Sequence, residues 1–112
     1  MRAFAQALDL VDDEDRINAY EAYHKAVWPE VLAALRGIGI ERMRIYRTGT
    51  RLFMYFEARD EFDHARDFAT YVQADRCPEW EELMRGYQRQ VPTATEGAWW
   101  TPMELVFDLE AQ

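Results

Sequence analysis

"IERMRIYRTGTRLFMYFEAR" (residues 40–59) is the stretch on which the fold turns. Thr48-Gly49-Thr50 supplies a turn, and aliphatic and aromatic residues fill the flanks, which is the pattern of a β-hairpin. In the second flank Leu52, Met54 and Phe56 point one way and Phe53, Tyr55 and Glu57 the other. Both faces are largely apolar or aromatic, so this strand is expected to be covered on both sides.

On the N-terminal side, "AFAQALDL" (residues 3–10) reads as a strand with Phe4, Gln6, Leu8 and Leu10 on one face. The acids of "VDDEDR" favour a helix start through the dipole and by capping. One long helix is then expected to run to about Leu35, closed by Gly37 and Gly39. On the C-terminal side, "DEFDHARDFATYV" carries Phe62, Ala65, Phe68 and Ala69 at helical spacing. "CPEWEELMRGYQRQ" reads as another helix with Pro78 in its first turn. "VPTATEGAWWTP" is an irregular connection. "MELVFDLE" (residues 103–110) alternates Met103, Leu105, Phe107 and Leu109 against Glu104, Val106 and Asp108, as a last strand does.

The order is strand, helix, strand, strand, helix in two pieces, strand. This is the split β-α-β-β-α-β pattern of a ferredoxin-like α+β fold, an antiparallel sheet with helices on one face. The 112 residues make one domain. The uncovered face would expose Phe53 and Tyr55, so a homodimer with facing sheets, a dimeric α+β barrel, is the economical arrangement.

Composition narrows the function classes. Hydrophobic residues make up 49% and charged residues 30%, a globular balance. A net charge of −8 argues against nucleic acid and against a basic membrane-binding surface. The short apolar run at the N-terminus is cut off by acids and does not read as a signal peptide, and no stretch is long enough to span a bilayer. Cys77 is the single cysteine; no internal disulfide can form, and a lone thiol fits the reducing cytoplasm. Four Trp, six Tyr and six Phe are more aromatics than a small core requires, and their faces suit flat or cyclic ligands.

"EAYHKAVWPEV" (residues 21–31) holds the chemistry-bearing candidates. Tyr20, His24 and Trp28 follow one another at i, i+4 and i+8, a single helical stripe beside the core positions Ile17, Val27, Val31 and Leu35. Pro29 kinks the helix or frees a carbonyl near His24. On spacing alone, His24 reads better as a packed, hydrogen-bonded ring on an apolar face, since a lone histidine there is more often core than catalytic. His64, flanked by Asp63 and Asp67, reads as a surface helix residue. The two histidines stand at no metal-pair spacing, so no metal site is expected. No glycine-rich phosphate loop occurs, and "RTGTR" is a turn rather than a nucleophile loop. A Cys77–His24 pair would need the two to meet in the fold, and Cys77 opens a helix.

"YEAYHKAVWPEV" (residues 20–31), the downstream "IYRTGTRLFMYFEA", "CPEWEELM" and the terminal "MELVFDL" together resemble the L-rhamnose mutarotase family over residues 4–109. The resemblance implies a dimeric ferredoxin-like protein, without metal or cofactor, that interconverts the anomers of a 6-deoxy-L-sugar. The family's proton-donating histidine falls on His24 and its substrate-binding tyrosine on Tyr20. Tyr46 stands for the tyrosine before the hairpin, and Met43 takes the place of a further family tyrosine. Of two adjacent sugar-contacting tryptophans the first falls on Trp80, and the second position is Glu81. The last two departures fit L-fucose as well as L-rhamnose. The competing expectation is a cofactor-free oxygenase or a small-molecule binding protein on the same dimeric barrel, since fold alone does not choose.

Overall fold

The computed structural model describes residues 1–112. Strand β1 (Arg2–Leu10) leads into helices α1 (Glu14–Tyr23) and α2 (Pro29–Gly37). Strands β2 (Ile40–Thr48) and β3 (Arg51–Ala58) follow, then helices α3 (His64–Tyr71) and α4 (Cys77–Arg85). Two short strands, β4 (Gln88–Arg89) and β5 (Thr101–Pro102), precede a single 3-10 turn at Leu109–Ala111.

The hairpin forms as its sequence requires. Thr48 pairs with Arg51 across a turn at Gly49 and Thr50, and Gly49 takes a left-handed φ of +57°, where a Cβ would be strained. β3 is central, antiparallel to β2 on one side and to β1 on the other. β4 and β5 both pair with the far side of β1, leaving β2 as a free edge. The sheet is open, not closed into a barrel.

All four helices serve one face of this sheet. Leu8 and Leu10 of β1 and Leu52 of β3 join Tyr20, Val31, Tyr71, Cys77, Trp80 and Met84 in the main core. A second cluster of Ile40, Met54, Phe56, Ala58 and Phe62 continues it. Phe56 is fully buried and stacks on Phe4 with ring centroids 4.9 Å apart. The opposite face is floored by Ala3, Ala5 and Ala7 of β1, register partners of Glu57, Tyr55 and Phe53 on β3, and no helix covers it. At its edge Asp9, buried, is held by an ion pair with Arg51.

Three expectations need correction. The long helix is two. α1 stops at Tyr23 with His24 as its C-cap, and Pro29 starts α2 as a first-turn proline instead of kinking a continuous rod. A proline's missing N–H costs nothing in a first turn, so the chain breaks where that cost vanishes. The helix "CPEWEELMRGYQRQ" ends at Arg85, and Gln88–Arg89 becomes edge strand β4. Residues 103–108 are not a strand of this sheet. The extended chain pairs with β1 only at Thr101–Pro102, adds a Met103 amide to Ala5 carbonyl bond of 2.9 Å, and then leaves the surface. Beyond it Leu105 is 80%, Val106 91% and Phe107 64% exposed.

Candidate active site

A cavity of about 580 Å³ opens between the helices and the inner face of the sheet. That is within the range of about 300–1,000 Å³ typical of small-molecule sites. Of its 23 lining residues 15 are hydrophobic, so the few polar groups aimed into it are conspicuous.

The end of α1 delivers the first of these. Asp13 caps the helix by accepting from the Asp15 amide at 3.0 Å, and the helix presents Tyr20 inward before it ends. The His24 ring lies against Tyr20, centroids 4.2 Å apart, and edge-on to Trp80 at 5.5 Å. His24 Nδ1 is 2.8 Å from the Tyr20 carbonyl oxygen. A carbonyl can only accept, so Nδ1 carries the hydrogen and the neutral ring keeps its lone pair on Nε2. Burial lowers the His24 pKa from its ordinary value, partly offset by that backbone bond. The neutral form therefore prevails at neutral pH. Tyr20 is 3% exposed and is pushed up to about 12, chiefly by burial, with Gln88 of β4 hydrogen-bonding to its hydroxyl. It stays a neutral phenol.

α4 supplies the opposite wall. Its helix starts from Arg76, which sits in the left-handed region at φ 61°. The Arg76 guanidinium lies 4.1 Å above the Trp28 ring and reaches Glu30 at 3.8 Å. The break between α1 and α2 is thus clamped to the start of α4, and Trp28 meets Trp80 at 5.2 Å. From this helix Trp80 and Glu81 face the cavity. Burial raises the Glu81 pKa against the lowering effect of a hydrogen bond from the Tyr71 hydroxyl. Tyr71 itself is raised by its own burial and by the neighbouring carboxyl.

Of the residues singled out from the sequence, Tyr20, His24, Met43, Trp80 and Glu81 all line this cavity. Tyr46 does not. Met43 and Ile45 pair with Phe56 and Met54 on the inner face, so strand alternation sends Tyr46 outward. There it is 54% exposed and stacks on Phe53 at 6.0 Å. Cys77 is fully buried in the core and is not part of the wall. His64 corrects its reading as a surface residue: it is half-buried and lines the same cavity. Sequence reasoning also missed Gln6 and Tyr71. Gln6 had a signal, a carboxamide on an otherwise apolar strand face. Tyr71 had none beyond helical spacing from His64 and Phe68.

The arrangement offers two titratable groups whose pKa values are shifted toward each other, a histidine lowered and a carboxyl raised, across an aromatic platform. Such a site can take a proton from one oxygen and give one to another near neutral pH without an external charge.

The chain is similar to several known proteins. Residues 3–109 match the L-rhamnose mutarotase family. A UPF0734 protein of Dictyostelium discoideum is 48% identical over 113 residues, covering 97% of this chain and 90% of that protein. An L-fucose mutarotase of Xanthomonas campestris pv. campestris is 35% identical over 111 residues, covering 97% and 89%. Among solved structures, an L-rhamnose mutarotase from Formosa agariphila superposes with a TM-score of 0.71 at 18% identity, covering 97% of this chain and 99% of that one. A dimeric ferredoxin-like protein from an uncultured marine organism gives 0.52 at 14% identity, covering 84% and 97%.

Proposed function

The chain belongs to the L-rhamnose mutarotase family, and from that premise we propose that it interconverts the α and β anomers of a 6-deoxy-L-hexose, L-rhamnose or L-fucose, by acid–base ring opening and reclosure. The observation that carries this reading is the fixed tautomer of His24, with Nδ1 held by the Tyr20 carbonyl and Nε2 left as the acceptor in a cavity wall.

Ring opening removes the proton from the anomeric hydroxyl, breaks the bond from the anomeric carbon to the ring oxygen, and delivers a proton to that oxygen. His24 Nε2 takes the first proton. The Glu81 carboxyl, whose protonated form burial favours, supplies the second. The aldehyde then turns, and the ring recloses through the same steps reversed. Each group therefore serves as acid in one direction and base in the other. Tyr20 holds a sugar hydroxyl, and Trp80 offers its face to the sugar C–H bonds. Met43 leaves room in the wall where the family has a tyrosine. Two proton carriers suffice for this exchange, so the reading calls for no metal or cofactor. Cytoplasmic residence is the compartment that the lone buried thiol supports.

The same reading includes a homodimer. The uncovered sheet face and the exposed tail at residues 103–109 are two apolar surfaces without cover in a single chain. The segment is acidic at Glu104, Asp108 and the following Glu110, while the free edge strand β2 carries Arg42, Arg44 and Arg47, of which Arg42 and Arg47 already pair with Glu57 and Glu21. A second copy of this chain satisfies both, its tail lying along β2 and its sheet against the outer face.

The experiment adds the protein to freshly dissolved α-L-rhamnose and L-fucose and follows optical rotation, or saturation transfer between anomeric protons. Acceleration over buffer for either sugar is expected. His24→Ala should slow it by about 100-fold or more. Exchange no faster than in buffer for any 6-deoxy-L-hexose would end the mutarotase reading. Full retention of the rate in His24→Ala would instead end the assignment of His24.

A further inference from the structure

Gln6 is 4% exposed in the middle of β1, on the face otherwise given to Phe4, Leu8 and Leu10. A carboxamide at such a position costs stability unless its hydrogen-bonding groups are used. Its Nε2 has a thioether for a partner, Met54 Sδ at 3.2 Å, which is a weak acceptor. Its Oε1 is 3.2 Å from His64 Nε2. If the carbonyl accepts there, the His64 hydrogen is on Nε2 and Nδ1 is left as an acceptor. One Gln6 N–H remains beyond the thioether. The pair thus holds both a donor and an acceptor in reserve, and both residues line the cavity that also holds His24, Tyr20, Trp80 and Glu81.

His64 is held firmly. Asp63 caps α3 through the Arg66 amide at 2.9 Å, and the imidazole packs against Phe68 at 4.8 Å. Gln6 and Met54 belong to the sheet and His64 to α3, whereas the proton carriers come from the end of α1 and from α4. The cavity wall therefore draws its polar groups from different elements, Gln6 and His64 from β1 and α3, His24 and Glu81 from the end of α1 and from α4, beside Arg36, Glu41, Arg42 and Gln88.

We propose that Gln6 and His64 form a hydroxyl-binding pole that grips a ring hydroxyl remote from the anomeric carbon and thereby selects among 6-deoxy-L-hexoses. This rests on the mutarotase reading and adds to it the residues that set sugar preference. L-Rhamnose and L-fucose differ in configuration at C2 and C4, so with the anomeric end fixed at His24 a remote hydroxyl points differently in each. A rigid donor–acceptor pair distinguishes the two orientations, because the mismatched sugar leaves it unpaired.

The test compares anomer exchange of both sugars by the native protein, His64→Ala, Gln6→Met and the conservative His64→Gln. For the preferred sugar, His64→Ala and Gln6→Met should raise KM about tenfold, the scale of one buried hydrogen bond. Their kcat should stay within about twofold, and the preference between sugars should shrink by the same factor. His64→Gln, which keeps a donor and an acceptor, should recover part of the preference. Circular-dichroism melting confirms that each variant is folded. A second readout is independent of turnover: the preferred sugar should shift the His64 imidazole resonances of the native protein. If both folded variants keep the native preference, or lose both sugars equally through kcat, the proposal is overturned. It is also overturned if no sugar moves the His64 resonances, even where catalysis is observed. Absence of catalysis with His64 still responding to sugar would remove the mutarotase reading and leave the binding pole standing.

Discussion

If the proposed homodimer forms, replacing Leu105 and Phe107 together by aspartate should leave a monomer. The tail leaves Met103, Leu105, Val106, Phe107 and Leu109 between 50% and 91% exposed. Full burial of such a side chain is worth about 1.5–3 kcal/mol. Covering the exposed fraction of each therefore gives about 1–2 kcal/mol per residue and about 5–10 kcal/mol per chain, an upper range because unfolded-chain references overstate area. Two tails in a two-fold pair contribute about 10–20 kcal/mol, against an association cost of about 4–15 kcal/mol. The tails thus take a pair of chains from marginal to firm association. Leu105 and Phe107 hold about two fifths of that surface, so the double substitution removes about 4–8 kcal/mol from the pair. At 1.4 kcal/mol per tenfold, this weakens association by about a thousandfold or more. Light scattering behind size exclusion reads the outcome against the chain mass of 13.3 kDa. The native protein should run at twice that mass at micromolar concentration and the variant at the chain mass. A native protein at 13.3 kDa at every concentration, or a variant that keeps the doubled mass, refutes the reasoning.

Two further outcomes follow from the inner face. The His24 Cε1 proton should titrate with its midpoint below the ordinary 6.5, because burial disfavours the charged ring. The sign for stability follows: the native state holds a neutral ring, so this contribution is present above the unfolded pKa and is lost as pH falls through the depressed folded value. A midpoint at or above 6.5 contradicts this. Phe56→Ala should cost about 3–5 kcal/mol and lower Tm by about 10–20 °C, since the ring is fully buried against Phe4, Phe62 and Phe68. Denaturant unfolding that gives less than about 1 kcal/mol would mean the site collapses around the lost ring.

The hairpin was legible because its two-residue turn and alternating side chains are local properties, and so was the inner face of β1. The break after His24 was half-legible. Proline marked the place, but whether a helix bends or restarts depends on whether the freed carbonyls find partners, and here the His24, Lys25 and Ala26 amides close the end of α1 locally. The tail was misplaced for a different reason. Its alternation marks extended chain, yet alternation does not say whether a neighbouring strand is there to pair with it. The helix motif brought Tyr20 and His24 together through spacing of four residues, and the family pattern added Trp80, Glu81 and Met43. Tyr46 stands three residues after Met43, an odd spacing that strand alternation places on the opposite face of the sheet, which a family pattern read along the sequence does not display. Gln6 and His64 lie 58 residues apart in sequence, so only the closed fold brings them into contact.

The free edge of β2 is nine residues long, and an unpaired strand of that length invites growth by strand addition. Its arginines decide what it can recruit. Two β2 edges laid antiparallel would set guanidinium groups near one another, so like charge opposes stacking of sheet on sheet into fibres. An acidic segment meets no such barrier, and residues 104–110 of the chain are acidic at Glu104, Asp108 and Glu110. The charge on this edge thus opposes open-ended polymerisation by self-pairing while leaving an acidic segment free to add.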